Sequence, residues 1–302
     1  MRFFAILAVL TVFSAQLHAV TRADSFIFLL STRGSNLSVV SMINPLGGDP
    51  AIMASREAVV ESFAVSKSQA IVFSEWLNPG TPDAKLLLKV RPDAPPLNAD
   101  KFNLSFYPDI SSDGRIIFLG SGSSGEGYYT CSTDGSSLTR IADHGQIMKA
   151  GGARFSPDGT RLVYPISHVV LPNCSDIGIM DSDGTNQSRL TKNTTANCTY
   201  KFPTFSPDGK VIFALENLVS NEVGLFSIDP SGAEGQTEIV FWKDPEKKIA
   251  DIAVSPDGKC IAVIHGGATQ GENVTLLDVN GAIIRLITTK GLTHRGICWK
   301  SK

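Results

Sequence analysis

Three things are scarce in this 302-residue chain: charge of one sign, helical periodicity, and apolar runs long enough to cross a bilayer. Basic side chains number 27 and acidic ones 29, a net charge of −2, and neither sign forms a long run. Nucleic-acid binding needs a basic stripe, so that class is excluded. No segment shows the three-and-four spacing of an amphipathic helix. No G-x-S-x-G elbow occurs, and no paired Cys or Cys/His spacing of zinc type, so neither a hydrolase nucleophile nor a structural metal is read from motif, and no cofactor is expected. The one sustained apolar run is at the start, where Arg2 precedes Phe3 to Phe13 and Ser14 to Ala19 then offers a small residue for cleavage. It is too short to span a membrane comfortably and reads as a signal peptide over residues 1–19, with no membrane span after it. Export follows: secretion to the extracellular space, or the periplasm if the source is bacterial.

What the chain has in quantity is turns, with 27 glycines and 16 prolines against a hydrophobic content of 42%. A Ser-(Pro/Ser)-Asp-Gly tetrapeptide recurs at Ser111 to Gly114, Ser156 to Gly159, Ser206 to Gly209 and Ser255 to Gly258, each time followed by a short β-branched run. Pro presets the first turn φ, Asp bonds back to nearby amides, and Gly takes the left-handed position, so each copy is a tight hairpin. Ser66-Lys67-Ser68-Gln69 is a degenerate fifth copy. A second series lies between these anchors: Asn44 to Gly47, Arg91 to Asp93, Thr133 to Gly135, Ser182 to Gly184, Asp229 to Gly232 and Val279 to Gly281. The spacing is about one propeller blade.

Naming the strands of each blade a to d from the axis outward, the anchor joins a to b and the second turn joins c to d. The chain begins on a b-like strand, Ser25 to Leu30, and ends on an orphan a-like strand, Gly296 to Trp299. Each missing piece matches the other. The expectation is an all-β, six-bladed β-propeller of four-stranded blades, closed by the C-terminal strand completing the N-terminal blade, which removes the open edge. The remaining blades run over 62–97, 102–142, 152–192, 202–241 and 250–289, so residues 20–302 form a single domain.

The stretch Phe205-Ser206-Pro207-Asp208-Gly209-Lys210-Val211-Ile212-Phe213, with Ile179-Met180-Asp181-Ser182-Asp183-Gly184-Thr185-Asn186 and Arg189-Leu190-Thr191, resembles the WD40-like repeat of TolB-like β-propellers. The likeness covers essentially the whole mature chain and implies a six-bladed propeller. It does not by itself imply a function. TolB carries an additional N-terminal α/β domain for which this chain leaves no room, and the peptidase relatives carry a hydrolase domain whose elbow motif is missing here. Both whole-protein roles are therefore put in doubt.

Two apparent motifs are set aside. Gly120, Gly122 and Gly125 match G-x-G-x-x-G, but strand Gly127 to Cys131 follows where a dinucleotide site needs a helix. Asp181 to Asn186 starts like a calcium loop, yet Lys192 stands where the twelfth-position acid is required.

On the face where the b–c loops and the d–a links emerge, the topology places His144, His168, His265 and His294. Such histidines could hold a metal in a propeller lyase or lie as scattered surface residues, and both readings stand at this stage. Trp76, Trp242, Glu75, Asp83, Glu126, Glu216, Glu222 and Glu272 are assigned to the same face, the tryptophans as recognition residues or as caps between blades. Nearer the axis, the position two before each anchor serine holds Ala64, Asp109, Arg154, Thr204, Ala253 and, by alignment, Cys298. Asp109 and Arg154 on adjacent blades form a structural ion pair or a binding element.

Cys174 and Cys198 fall on one face and are expected to form a disulfide. Cys131, Cys260 and Cys298 fall in strands. Asn-x-Ser/Thr sequons at Asn36, Asn103, Asn173, Asn186, Asn193, Asn197 and Asn273 would be glycosylated in a eukaryotic secretory route. The function expected is a binding or scaffold module, monomeric, that offers its long loops to a protein, peptide or glycan. The competing reading is a metal-assisted lyase or hydrolase built on the histidine-bearing face.

Overall fold

A computed structural model describes residues 25–33, 37–45, 51–66, 70–81, 83–90, 94–123, 125–143, 151–167, 171, 173–231, 236–243, 248–266, 273–288 and 293–301. The signal peptide, Asn36, His144, His168 and Glu272 lie outside them. Among the described residues all regular structure is strand.

The first sheet holds β1 (Ser25–Arg33), β2 (Leu37–Ile43) and β3 (Ala51–Glu57). Next come β4 (Val60–Val65), β5 (Ile71–Leu77), β6 (Lys85–Lys89), β7 (Phe102–Ile110), β8 (Arg115–Gly122), β9 (Gly127–Ser132) and β10 (Thr139–Asp143). Three four-stranded sheets follow in order: β11 (Arg154–Phe155) to β14 (Ser188–Arg189) by way of β12 (Arg161–Ser167) and β13 (Ser175–Asp181), then β15 (Cys198–Phe205), β16 (Val211–Asn217), β17 (Glu222–Ile228) and β18 (Gln236–Lys243), then β19 (Lys248–Val254), β20 (Cys260–Gly266), β21 (Asn273–Asp278) and β22 (Ile283–Thr288). The last strand, β23 (Thr293–Ser301), returns to the first sheet.

That return is the swap expected from the two orphan strands. β23 pairs antiparallel with β1, Leu30 opposite Gly296 and Ile27 opposite Trp299. It also stands against β19 and β4, the inner strands on either side. The arrangement is all-β and propeller-like, with apolar clusters between successive sheets. Ile27, Leu29 and Trp299 pack with Ala262, Val274 and Leu276 of the last sheet, and Phe28 and Leu30 pack with Phe63 and Phe73 of the next one.

The sheets are less uniform than four strands per blade. β4 to β10 form one seven-stranded sheet, in which β6 meets β7 through a single parallel pair, Leu86 and Leu104. No fourth strand occurs among the described residues of the expected 62–97 unit. Pro92, Pro95 and Pro96 lie there, and proline has no N–H for a ladder. Leu97 instead closes back by donating its amide to the Leu88 carbonyl at 2.8 Å.

The anchors work as the sequence indicates, with one addition. Gly114, Gly159, Gly209 and Gly258 have φ of 86°, 74°, 87° and 72°, which only glycine adopts freely. The serine is the hub: Ser156 Oγ donates to Asp158 Oδ1 at 2.6 Å and accepts the Arg161 amide at 2.9 Å, and Ser255 makes the same pair of bonds with Asp257 and Cys260. Ser66 keeps the closure in the degenerate copy, its Oγ accepting the Ala70 amide at 2.9 Å.

Candidate functional site

The inner strands bring their inward side chains to a common axis. Asp109, Arg154, Thr204, Ala253 and Cys298, all from the position two before an anchor, line one cavity of about 300 Å³ at the anchor-turn end. Phe155, Ile252, Trp299 and Lys300 complete the part of the wall that matters below. A second chamber of about 20 Å³, room for about one water, lies beyond Arg154 and is bounded by Tyr107, Phe202, Asp251 and Arg295.

Arg154 separates the two. Its guanidinium lies 3.9 Å from Asp109 and 3.6 Å from Asp251, and Nη1 donates to the Pro108 carbonyl at 3.3 Å. The expected Asp109–Arg154 pair is thus present but loose, and Asp251 is the member that sequence reasoning missed. It sits two residues before Ala253 on the same strand face, so the period-two alternation was the available signal. Both carboxylates are held by amides of the next sheet: Asp109 Oδ2 accepts Phe155 N–H at 2.8 Å and Asp251 Oδ2 accepts Ile297 N–H at 3.0 Å. Burial raises the Asp251 pKa, opposed by Arg154 and the two amides that bond it. Burial also disfavours the Arg154 cation, but Asp251 and Asp109 outweigh it and hold the pKa above the ordinary value.

Bulges shape the second chamber. Register slips between Phe106 and Asp109, between Lys201 and Thr204, and opposite Arg295 insert residues on three inner strands. Tyr107 and Phe202 there adopt φ of 51° and 53°, a left-handed conformation costly for bulky residues.

The two described histidines, His265 and His294, make separate hydrogen bonds. His294 is fully buried, its Nδ1 sharing a hydrogen bond with Ser31 Oγ at 2.8 Å, which corrects its assignment to a surface link. The cause is that β23 starts at Thr293, three residues earlier than the sequence indicated. His265 Nε2 bonds Thr275 Oγ1 on the neighbouring strand at 2.6 Å. Among the described residues no three His, Cys, Asp or Glu side chains are grouped to hold a metal.

Trp76 is half-buried and donates from Nε1 to Glu61 at 3.0 Å, while Arg295 bonds the other oxygen of Glu61 at 2.7 Å. That ties Trp76 into the junction of β4 and β23, in keeping with the capping alternative. Glu75 and Glu216 are buried rather than displayed, Glu216 pairing with Lys201. The described apolar exposure on the long-loop face is at Leu218 and Val219, 44% and 72% exposed at the tip between β16 and β17.

Cys174 and Cys198 are neighbours, as expected, but the structure holds them as buried thiols and not as a bridge. The Cys174 thiol donates to the Thr195 carbonyl at 3.1 Å. Asn193 is also corrected: it is buried, and its amide donates to the carbonyls of Ser175 and Cys198, so a glycan there is incompatible with this fold. Asn103, Asn173 and Asn186 are exposed, and Asn197 and Asn273 are half-buried. The glycine-rich 120–125 stretch is the end of β8 and the start of the β8–β9 loop, and a Cβ at Gly122 would collide with the Lys101 carbonyl.

No family model and no curated protein matches the sequence. Solved structures do match. TolB from Acinetobacter baumannii superposes with a TM-score of 0.67 at 16% identity, over 95% of this chain and 70% of that one. A putative TolB from Agrobacterium tumefaciens gives 0.60 at 15%, over 90% and 91%. A chain of the nidogen/laminin complex gives 0.60 at 11%, over 91% and 98%. The fold is therefore that of a TolB-like β-propeller, as the repeats implied. No helix among the described residues is long and apolar enough to cross a membrane.

Proposed function

We propose that residues 20–302 form a single six-bladed propeller, exported to the extracellular space or periplasm, that serves as a binding scaffold for a protein, peptide or glycan. The blade count draws support from the apolar clusters between successive units. One of them joins Ala64, Val72 and Leu87 of β4–β6 face to face with Ile116, Phe118 and Tyr129 of β8–β9, so the seven-stranded sheet packs as two blades would. Protein binding draws support from the fold neighbours, one of which was solved within the nidogen/laminin complex.

The observation that carries the reading is asymmetry. The described anchor turns are closed on their own serine, whereas the β16–β17 connection on the opposite face exposes Leu218 and Val219. Exposed apolar residues rimmed by polar ones mark interaction surfaces. The test is to identify by mass spectrometry the partners retained from the protein's native fluid by the wild type and by a Leu218→Asp/Val219→Asp variant. Loss of a partner in the variant is expected. An identical set of partners would overturn the assignment to this face.

A further inference from the structure

The axial cavity contains more cationic donors than the fold engages. Its lining carries two cations, Arg154 and Lys300, and one carboxylate, Asp109. Arg154 approaches Asp109 and Asp251 only at 3.9 and 3.6 Å, beyond hydrogen-bond range. Neither carboxylate is free to close that gap. One oxygen of Asp109 is fixed by the Phe155 amide, and the two oxygens of Asp251 take the amides of Ile252 and Ile297. A guanidinium has five N–H donors, and Arg154 uses one, to the Pro108 carbonyl.

The Lys300 ammonium makes no hydrogen bond or ion pair with any described residue, Cys298 and Asp109 acting on it only through space, although it is half-buried in the same wall. It follows Cys298 by two on β23, so both face the cavity. A purely structural plug would place its cations in direct contact with the carboxylates. Here they are left facing about 300 Å³ of space, the lower end of small-molecule sites. The rim prolines Pro157 and Pro207 are exposed, which leaves the cavity open at the anchor-turn face. The hydroxyls of Ser111, Ser156 and Ser255 are bound within their turns, so Ser112, Thr204 and Ser301 are the neutral hydroxyls left in the lining.

We propose that this cavity is a binding site for a small organic carboxylate, gripped by the planar fork of Arg154 and by the ammonium of Lys300. The fork matches two carboxylate oxygens at once, while the ammonium adds a point charge to a second carboxylate or the same one. The small apolar side chains of Ala253 and Cys298 in the lining leave room for a short carbon backbone. The site lies at the end of the axis opposite the long loops, so it is independent of the partner face.

Titration calorimetry with citrate and succinate, and with inorganic phosphate as the competing anion, tests this. Saturable binding of a carboxylate is expected, weakened about tenfold by Lys300→Gln, the effect of losing one charged hydrogen bond. Because Cys298 and Asp109 act on the Lys300 ammonium only through space, without a hydrogen bond or ion pair, that variant should melt close to the free wild type. Arg154→Lys should weaken binding further by removing the fork; if it does not fold, Lys300→Gln alone decides. Absence of saturable carboxylate binding, binding unchanged in Lys300→Gln, or phosphate binding with both carboxylates inert would each overturn the proposal.

Discussion

Asp251 accepts the backbone N–H of Ile297, 46 residues later on the neighbouring inner strand, at 3.0 Å. Asp109 does the same to Phe155, also 46 residues later, at 2.8 Å. Ser62 Oγ makes a neutral version between inner strands, accepting the Tyr107 amide at 2.9 Å. Each bond fixes how one sheet is rotated against the next, and Arg154 balances the two buried charges from across the axis.

Removing one of these carboxylates therefore leaves an unpaired amide and an under-balanced guanidinium. Asp251→Ala should cost about 3 kcal/mol or more, the scale for breaking a buried ion pair. Asp251→Asn, which keeps an acceptor for Ile297, should cost less. Chemical denaturation of both variants checks the order, and equal stability of wild type and Asp251→Ala would refute the clasp.

Loss of β23 should be worse than any point change. Deleting residues 294–302 strips Ile297 and Trp299 from the core, worth roughly 1.5–3 kcal/mol each, and opens the inner edge of β1. A truncated chain is expected to lose cooperative melting, measured by calorimetry. A midpoint like that of the intact protein would contradict the closure.

Acid should destabilise the protein through His294. Burial lowers its pKa from 6.5 to about 4. The folded value lies below the unfolded one, so on acidification the unfolded chain takes up the proton first. Stability is complete above 6.5 and is lost as pH falls toward about 4. Between pH 7 and 5 the loss should be about 2 kcal/mol by linkage. A His294→Gln variant should show a flatter profile in denaturant titrations across that range; an unchanged slope would exclude His294 as the source.

The thiols should be slow to react. Burial pushes Cys131 up to about 12 and Cys198 up to about 11, and the thiolate is the reactive form. Cys260, half-buried, is expected to take up a maleimide first in the native protein. Under denaturing, non-reducing conditions all five cysteines should be labelled. Only three labels would mean that Cys174 and Cys198 are joined in the purified protein.

The axial positions were legible because a strand alternates its faces with a fixed period of two. Counting back from the anchor serines placed Asp109, Arg154, Thr204 and Ala253, and alignment of the last strand placed Cys298, around one cavity, whereas Ala64 at the same count from the degenerate copy is buried in the core between β4–β6 and β7–β9. The same count fails beyond a bulge. Arg295 is an inserted residue opposite Leu30 and Ser31, and past it His294 turns into the core instead of toward solvent. Asp251 and Lys300 follow the same alternation, each two residues from an axial position on its own strand.

The amino-acid order alone determined the repeating hairpins and the exchange of the terminal strand, because turn chemistry and β-branched runs act over a few residues and two orphan strands leave one way to pair. Tertiary structure decided which polar groups are buried, that β6 and β7 join in one sheet, and that Arg154 stands between two carboxylates without touching either. Those outcomes depend on bulges and on distances across the axis between residues far apart in the chain, and local propensity carries no information about either.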